Sequence, residues 1–335
     1  MKRLFRPGYL FALGLVLFAI AAGAFVLPSN EYIFLPDPAH PVAPLVTVRG
    51  GKDPTRGGVY FVDIVIRKAT LAERLFGGLH EGADLEPASA VNPPGVDDAE
   101  RRQIDLQDMR HSQQVAAAVA LKAAGKHVVV RTVGAQVAAI ESGKPAEGKL
   151  EPDDVIVAID GVGVRTLADV HNAMARHKVG DTVAFTVSRA GHRLIIPLKT
   201  VAADGGPRRP IIGVLLEPAV DIHLPFPVRI DSGQVGGPSA GLAFALDLYV
   251  ELGHASVLHG QKIAATGEIF PDGSVGPIGG IKQKTIGARD SHVDAFLVPA
   301  GDNASVARKY AQGLRIIAVK SFQQALHALA TLPQT

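Results

Sequence analysis

From residue 9 to residue 27 the chain reads YLFALGLVLFAIAAGAFVL, without a single charged side chain. A helix of this length is about 30 Å long, the thickness of a bilayer's hydrocarbon core. Such a run is either a membrane span or a cleaved leader. Lys2, Arg3 and Arg6 precede it, and basic residues stay on the cytoplasmic side, so everything after the run is expected outside. Ala22-Gly23-Ala24 satisfies the small-x-small rule for signal cleavage. The apolar run nevertheless continues through Phe25-Val26-Leu27 past that cut, which favours an uncleaved anchor. Residues 1–30 are therefore read as a cytoplasmic N-terminus and transmembrane helix of a single-pass cell-membrane protein.

The rest of the 335-residue chain has the composition of folded domains, with 47% hydrophobic and 20% charged residues overall. The formal net charge of +2 gives no concentrated basic surface for phosphate backbones, which argues against nucleic acid as a partner. With no cysteine, disulfides, cysteine zinc sites and a thiol nucleophile are excluded. No G-x-x-x-x-G-K-[ST] phosphate loop occurs, so no ATPase of that kind is built in. Neither cofactor nor metal is expected.

Prolines between 31 and 43 suggest an extended tether. VYFVDIVIR at 59–67 is β-branched and aromatic, a strand signal. Residues 91–125 open on a Pro/Gly turn and develop a helical pattern that ends at Gly125. Within 126–200, the phrase SGKPAEGKLEPDDVIVAIDGVGV resembles a PDZ domain. That resemblance implies a small, mostly β fold that binds extended peptides by adding a strand to a sheet edge. No Gly-Leu-Gly-Phe carboxylate loop is visible; Val133, Gly134, Ala135 and Val137 lie about where the groove is expected. ADGGPRRP at 203–210 reads as a linker.

Downstream, three segments stand in order: GGPSAG at 236–241, TGEI at 266–269 and VGPIGGIKQK at 275–284. Together they resemble the proteolytic domain of Lon-family serine peptidases, and with the anchor and the PDZ block the chain resembles membrane-anchored, PDZ-containing Lon-like proteases. The implied fold is an α/β (α+β) catalytic domain at 208–335. Residues 44–125 supply its early strands and helix, so that the PDZ block is inserted into it. The resemblance implies a Ser–Lys dyad, carried here onto Ser239 as nucleophile and Lys282 as general base, with Thr266 supporting the lysine. It also implies assembly as a ring of six. Lon sequences carry an acid two places before the motif's proline; here that place is Gly236.

The residues make chemical sense on their own. A serine hydroxyl needs a neighbouring base, and a lysine serves only if burial lowers its pKa from about 10.4. Ile278, Ile281 and Ile286 flank Lys282, and a helix N-terminus after Gly279-Gly280 disfavours a cation nearby. Gly236-Gly237-Pro238 turns into the pattern SAGLAFALDLYVEL. The backbone N–H groups of Ser239 and Ala240, free at a helix start, are candidates for an oxyanion hole. Ser239 as a simple N-cap is the structural alternative. Lys284 is expected in solvent on another helix face, and Glu268 in a turn. Asp221 and His223 offer a rival triad with Ser239. The function expected is an ATP-independent serine endopeptidase that cleaves exported or membrane polypeptides recruited by the PDZ domain. The alternative is a PDZ scaffold or chaperone-like sorter with little proteolytic activity.

Overall fold

Helix α1 (Pro7–Val26) leaves large apolar side chains exposed from Phe11 onward, among them Phe18 and Val26. In the computed structural model, which describes residues 7–92, 97–203 and 209–333, the chain divides into two units. One gathers the chain up to His127 and again from Leu224 onward; the other is Val128–His223.

The first unit begins with β1 (Pro28–Pro36). The tether expected over 31–43 is here the central strand of a three-stranded antiparallel sheet. Its prolines sit at the strand's two ends, where a missing N–H costs no ladder bond. The strand expected at 59–67 is two strands, β2 (Gly58–Phe61) and β3 (Ile64–Thr70). They belong to different sheets, and Val62-Asp63 crosses between them. Helix α2 (Leu71–Leu75) follows, closed by a capping box between Thr70 and Glu73, and then β4 (Asp84–Pro87). In the first sheet the order is β3-β1-β4. Helix α3 (Asp98–Ala123) starts where the Asp97 carboxylate accepts from the N–H groups of Ala99 and Glu100, satisfying two donors that a helix start leaves unpaired. Its second half, Val115–Leu121, is buried throughout.

Among the described residues the second unit holds one helix and a six-stranded sheet, five of whose strands form one path. Strands β5 (Val129–Ile140) and β6 (Val155–Ile159), helix α4 (Leu167–Met174), then β7 (Thr182–Arg189), β8 (His192–Lys199) and β9 (Val214–His223) give the order β8-β7-β6-β5-β9. Its core is built from Ile156, Ile159, Val183, Phe185, Val187 and Leu198. The sheet runs past residue 200, because β9 pairs antiparallel along β5 from Val214↔Ile140 to His223↔Val129.

Back in the first unit, helix α5 (Gly241–Tyr249) is buried from Gly241 to Leu248 and packs on α3 and on β2. Strand β10 (Lys262–Ala265), helix α6 (Ile281–Asp290) and strands β11 (Ala295–Pro299) and β12 (Arg315–Val319) complete the frame. The strands β2, β10, β11 and β12 run parallel side by side, with the two-residue strand His40–Pro41 antiparallel on the β2 edge. Ligand sites in such sheets gather at the carboxyl ends of the strands. Phe61, the last residue of β2, pairs with Ala265, the last of β10, so Asp63 and Thr266 both lie just past that end.

Candidate active site

The serine turn is built by close packing. Gly237 adopts φ 83°, a conformation other residues adopt only under strain, and its N–H donates to the Asp105 carbonyl at 2.7 Å. A β-carbon on Gly241 would lie 2.5 Å from Ser112 Oγ and 2.7 Å from an Ile269 methyl. Ser112, from α3, donates its hydroxyl to the Pro238 carbonyl at 3.0 Å. Ser239 and Ala240 do not open one long α-helix; they lie in the single 3-10 turn Pro238–Ala240, and α5 begins at Gly241. The Ser239 carbonyl accepts from the Gly267 N–H at 2.8 Å and from Thr266 Oγ1 at 3.1 Å. The side chain is thereby free to face α6.

What it meets there is Lys284. Its Nζ lies 2.5 Å from Ser239 Oγ and 3.4 Å from Thr266 Oγ1. Lys284, expected in solvent, is 3% exposed. Lys282, expected against the serine, points elsewhere. Its amine is 2.7 Å from Asp84 Oδ1 and 5.6 Å from the centre of the Tyr310 ring. The correction follows from helix geometry. Two residues apart is about 200° around an α-helix, so the two lysines cannot share a face. Seven of the ten residues of α6 are buried, Ile281, Gln283, Lys284, Thr285, Ile286, Gly287 and Ala288, and the part-exposed face is the one that carries Lys282 and Arg289. The charged residues Lys282 and Arg289, seven apart on one face, are the signal in the sequence that leaves Lys284 on the inner side. Gln283 helps fix the helix by donating to the Gly82 carbonyl at 3.1 Å and to Asp84 Oδ2 at 2.7 Å.

Burial pulls the Lys284 pKa down to about 8, and the charge of Asp63 partly opposes the shift. Asp63 is itself raised to about 6, first by burial and then by the Asp37 carboxyl beside it; His40 and Lys284 pull it back down. Among the described residues Asp37, His40 and Asp63 are the one group offering metal-type donor atoms within 4.8 Å of one another. His40 Nε2 already stands between the carboxylates, 2.7 Å from Asp37 Oδ2 and 3.7 Å from Asp63 Oδ1. Sequence reasoning missed all three. Glu268 opens the two-residue strand Glu268–Ile269 opposite Gly276. Of the rival triad, His223 pairs with Asp221 at 3.5 Å, both well exposed, on a strand of the second unit.

A serine hydroxyl on a buried, pKa-depressed amine is the constellation of a serine hydrolase, and the comparisons agree on the kind. Residues 216–331 match the model of the Lon protease (S16) C-terminal proteolytic domain, and residues 104–200 match that of the PDZ domain. This chain carries a Lon-type serine peptidase domain and a PDZ domain. Lon protease 2 of Bacillus subtilis is 36% identical over 115 residues, 34% of this chain and 20% of that protein. The Lon protease of Clostridium beijerinckii is 38% identical over 115 residues, 32% of this chain and 13% of that one. The chain therefore spans a fifth or less of the length of these relatives. The PDZ domain of an SdrC-like protein from Listeria monocytogenes is 27% identical, covering 25% of this chain and 87% of that one, with a TM-score of 0.24. Its counterpart from Listeria innocua is 28% identical, covering 26% and 96%, also at 0.24.

The Lon match begins inside β9, which in the structure belongs to the PDZ sheet. Val133, Gly134, Ala135 and Val137, where the groove is expected, do not form a free sheet edge as a set. Those residues are on β5, which pairs with β9 along its length and with β6 at Ala135 and Gln136, while Val133 is exposed. Ala135 and Val137 are fully buried. Around Ala135 and Gln136 both edges of β5 are taken, and no third strand can be added there. Among the described residues β9 ends the strand order of this sheet, and α4 packs against it.

Proposed function

We propose that this protein is a membrane-anchored endopeptidase that cuts polypeptides outside the cytoplasm, with Ser239 as nucleophile and Lys284 as general base. The observation that carries the reading is the 2.5 Å approach of Lys284 Nζ to Ser239 Oγ inside a buried site. With a pKa of about 8, about a tenth of the amine is neutral at pH 7. The neutral amine takes the hydroxyl proton as Oγ attacks the scissile carbonyl carbon. Backbone N–H groups at the Pro238–Ala240 turn receive the oxyanion. The lysine, now ammonium, returns the proton to the leaving amine, and an ester on Ser239 remains. Water, deprotonated by the same lysine, hydrolyses that ester and restores the serine. Thr266 orients the amine.

Nothing in this cycle consumes ATP, and the chain's sequence has no phosphate loop to supply it. The PDZ unit delivers substrate by pairing an extended segment with the outer edge of β9. Helix α1 is the anchor: its large apolar side chains from Phe11 to Val26 are exposed, a surface suited to lipid. The test is casein hydrolysis by the detergent-solubilised protein without nucleotide. Cleavage that disappears in Ser239→Ala supports the reading. No cleavage by the wild-type protein, or cleavage that survives in Ser239→Ala, overturns it.

A further inference from the structure

We propose that residues 71–79, helix α2 and the turn after it, form a second membrane contact that seats Leu75, Phe76 and Leu79 in the outer leaflet beside α1. The proposal rests on reading α1 as the anchor. Leu75 is 72% exposed, Phe76 63% and Leu79 46%, three large apolar side chains within five residues. Scattered apolar residues are ordinary on a soluble surface, whereas a contiguous patch marks an interaction site.

The patch is presented by a rigid support. Thr70 and Glu73 close the capping box of α2. The buried Glu73 carboxylate also accepts two bonds from Arg67, at 2.6 and 2.9 Å, and meets His80 Nε2 at 2.7 Å. This network ties both ends of the segment together, so the three apolar side chains are held outward.

The occupant is argued from continuity with α1. The Leu71 N–H donates to the Leu27 carbonyl at 3.0 Å, joining α2 to the residue that ends the charge-free run. Between the two helices lies an apolar groove of 780 Å³, lined by Leu15, Val16, Ile20 and Leu27 from one side and Leu71 and Leu75 from the other. If α1 stands in hydrocarbon, this groove and its outer lip stand there too. Arg74 also lines the groove and reaches back to Glu31 at 3.4 Å, a long stem under apolar cover with its charge carried toward water. Half-exposed Arg67 and Lys68 on the adjoining β3 add cations at the level of lipid headgroups. The segment runs on to Gly82 and Asp84, which hold Gln283 and Lys282 of α6. A seated lip therefore keeps the helix of the dyad close to the membrane surface.

The chain has no tryptophan, so one introduced at Phe76 reports alone. Full-length Phe76→Trp is reconstituted in phosphatidylcholine/phosphatidylglycerol vesicles, with lipids brominated near the carbonyl end or deeper in the acyl chain. The proposal predicts blue-shifted emission that shallow bromines quench. Phe18→Trp in α1 is the companion and is quenched by deep bromines if the anchor reading holds. Quenching in Phe18→Trp without quenching in Phe76→Trp overturns the lip and leaves the anchor standing. Absence of quenching in both variants overturns both. Blue-shifted but unquenched emission from Phe76→Trp means a protein partner covers the patch, and overturns the lip as well. Leu79→Trp repeats the measurement if Phe76→Trp fails to cleave casein.

Discussion

The choice between Lys282 and Lys284 turns on one side chain's direction. Both stand in the quoted motif segment, and both are flanked by isoleucines. Flanking residues say little about burial on a helix; phase says more, and Lys282 and Arg289, seven apart and part-exposed, mark the outer face. Ser239 was legible because glycines and a proline crowd one hydroxyl. Asp63 was not, because its role depends on where β2 ends beside β10, a long-range pairing with no local signature. Two outcomes follow. Because the base must be neutral, kcat/KM rises about tenfold per pH unit below about 8 and levels above it. Asp63 holds the Lys284 pKa up, so Asp63→Asn lowers it and shifts the acid limb of that profile to lower pH. A limb that stays in place would show that the Asp63 charge does not reach the amine.

At the scale of elements, α5 shows why hydropathy alone misleads. Pro238–Leu258 is long and apolar enough to cross a membrane, yet 61% of its most apolar window is buried inside the protein; it is the core of the first unit. That core encloses Asp247, whose carboxylate is fully buried with neither oxygen bonded to a donor. Burial raises its pKa to about 8, and the neighbouring Glu251 and Asp53 add to the shift. Its folded pKa lies above the unfolded one, so its contribution to stability is full below about pH 4 and is lost as pH rises through about 8. Asp247→Asn should therefore raise the Tm at pH 9 by a few degrees, about 2–4 °C per kcal/mol relieved, and change it much less at pH 5. Equal effects at the two pH values would contradict this. The PDZ phrase was readable from its turns, but its edge strand was not, since β9 lies beyond a linker and joins the sheet only by pairing with β5. A bound extended peptide should slow amide exchange at alternate residues of β9, those whose N–H groups point away from β5. Protection confined to residues 133–137 would refute strand addition at that edge.

At the scale of the whole chain, one unit is spliced into another at a single point. Val129 and His223 are directly paired, so the two ends of the inserted unit lie side by side and a short turn can replace it. Excising 128–223 should leave cleavage of short peptides near the wild-type rate while slowing that of long polypeptides. A fall equal for both would mean the PDZ unit gates the site instead of feeding it. All of this presupposes that the dyad is Ser239 with Lys284, and paired lysine variants test that most directly. Lys284→Met should lower kcat/KM on a quenched fluorescent casein by 10²–10⁴-fold, roughly the worth of a general base. Lys282→Met, which loses a part-exposed pair with Asp84, a 3.4 Å bond to the Ala83 carbonyl and the contact with the Tyr310 ring, should keep activity within about threefold, the scale of a surface ion pair. An active Lys284→Met beside an inactive, folded Lys282→Met would contradict the account.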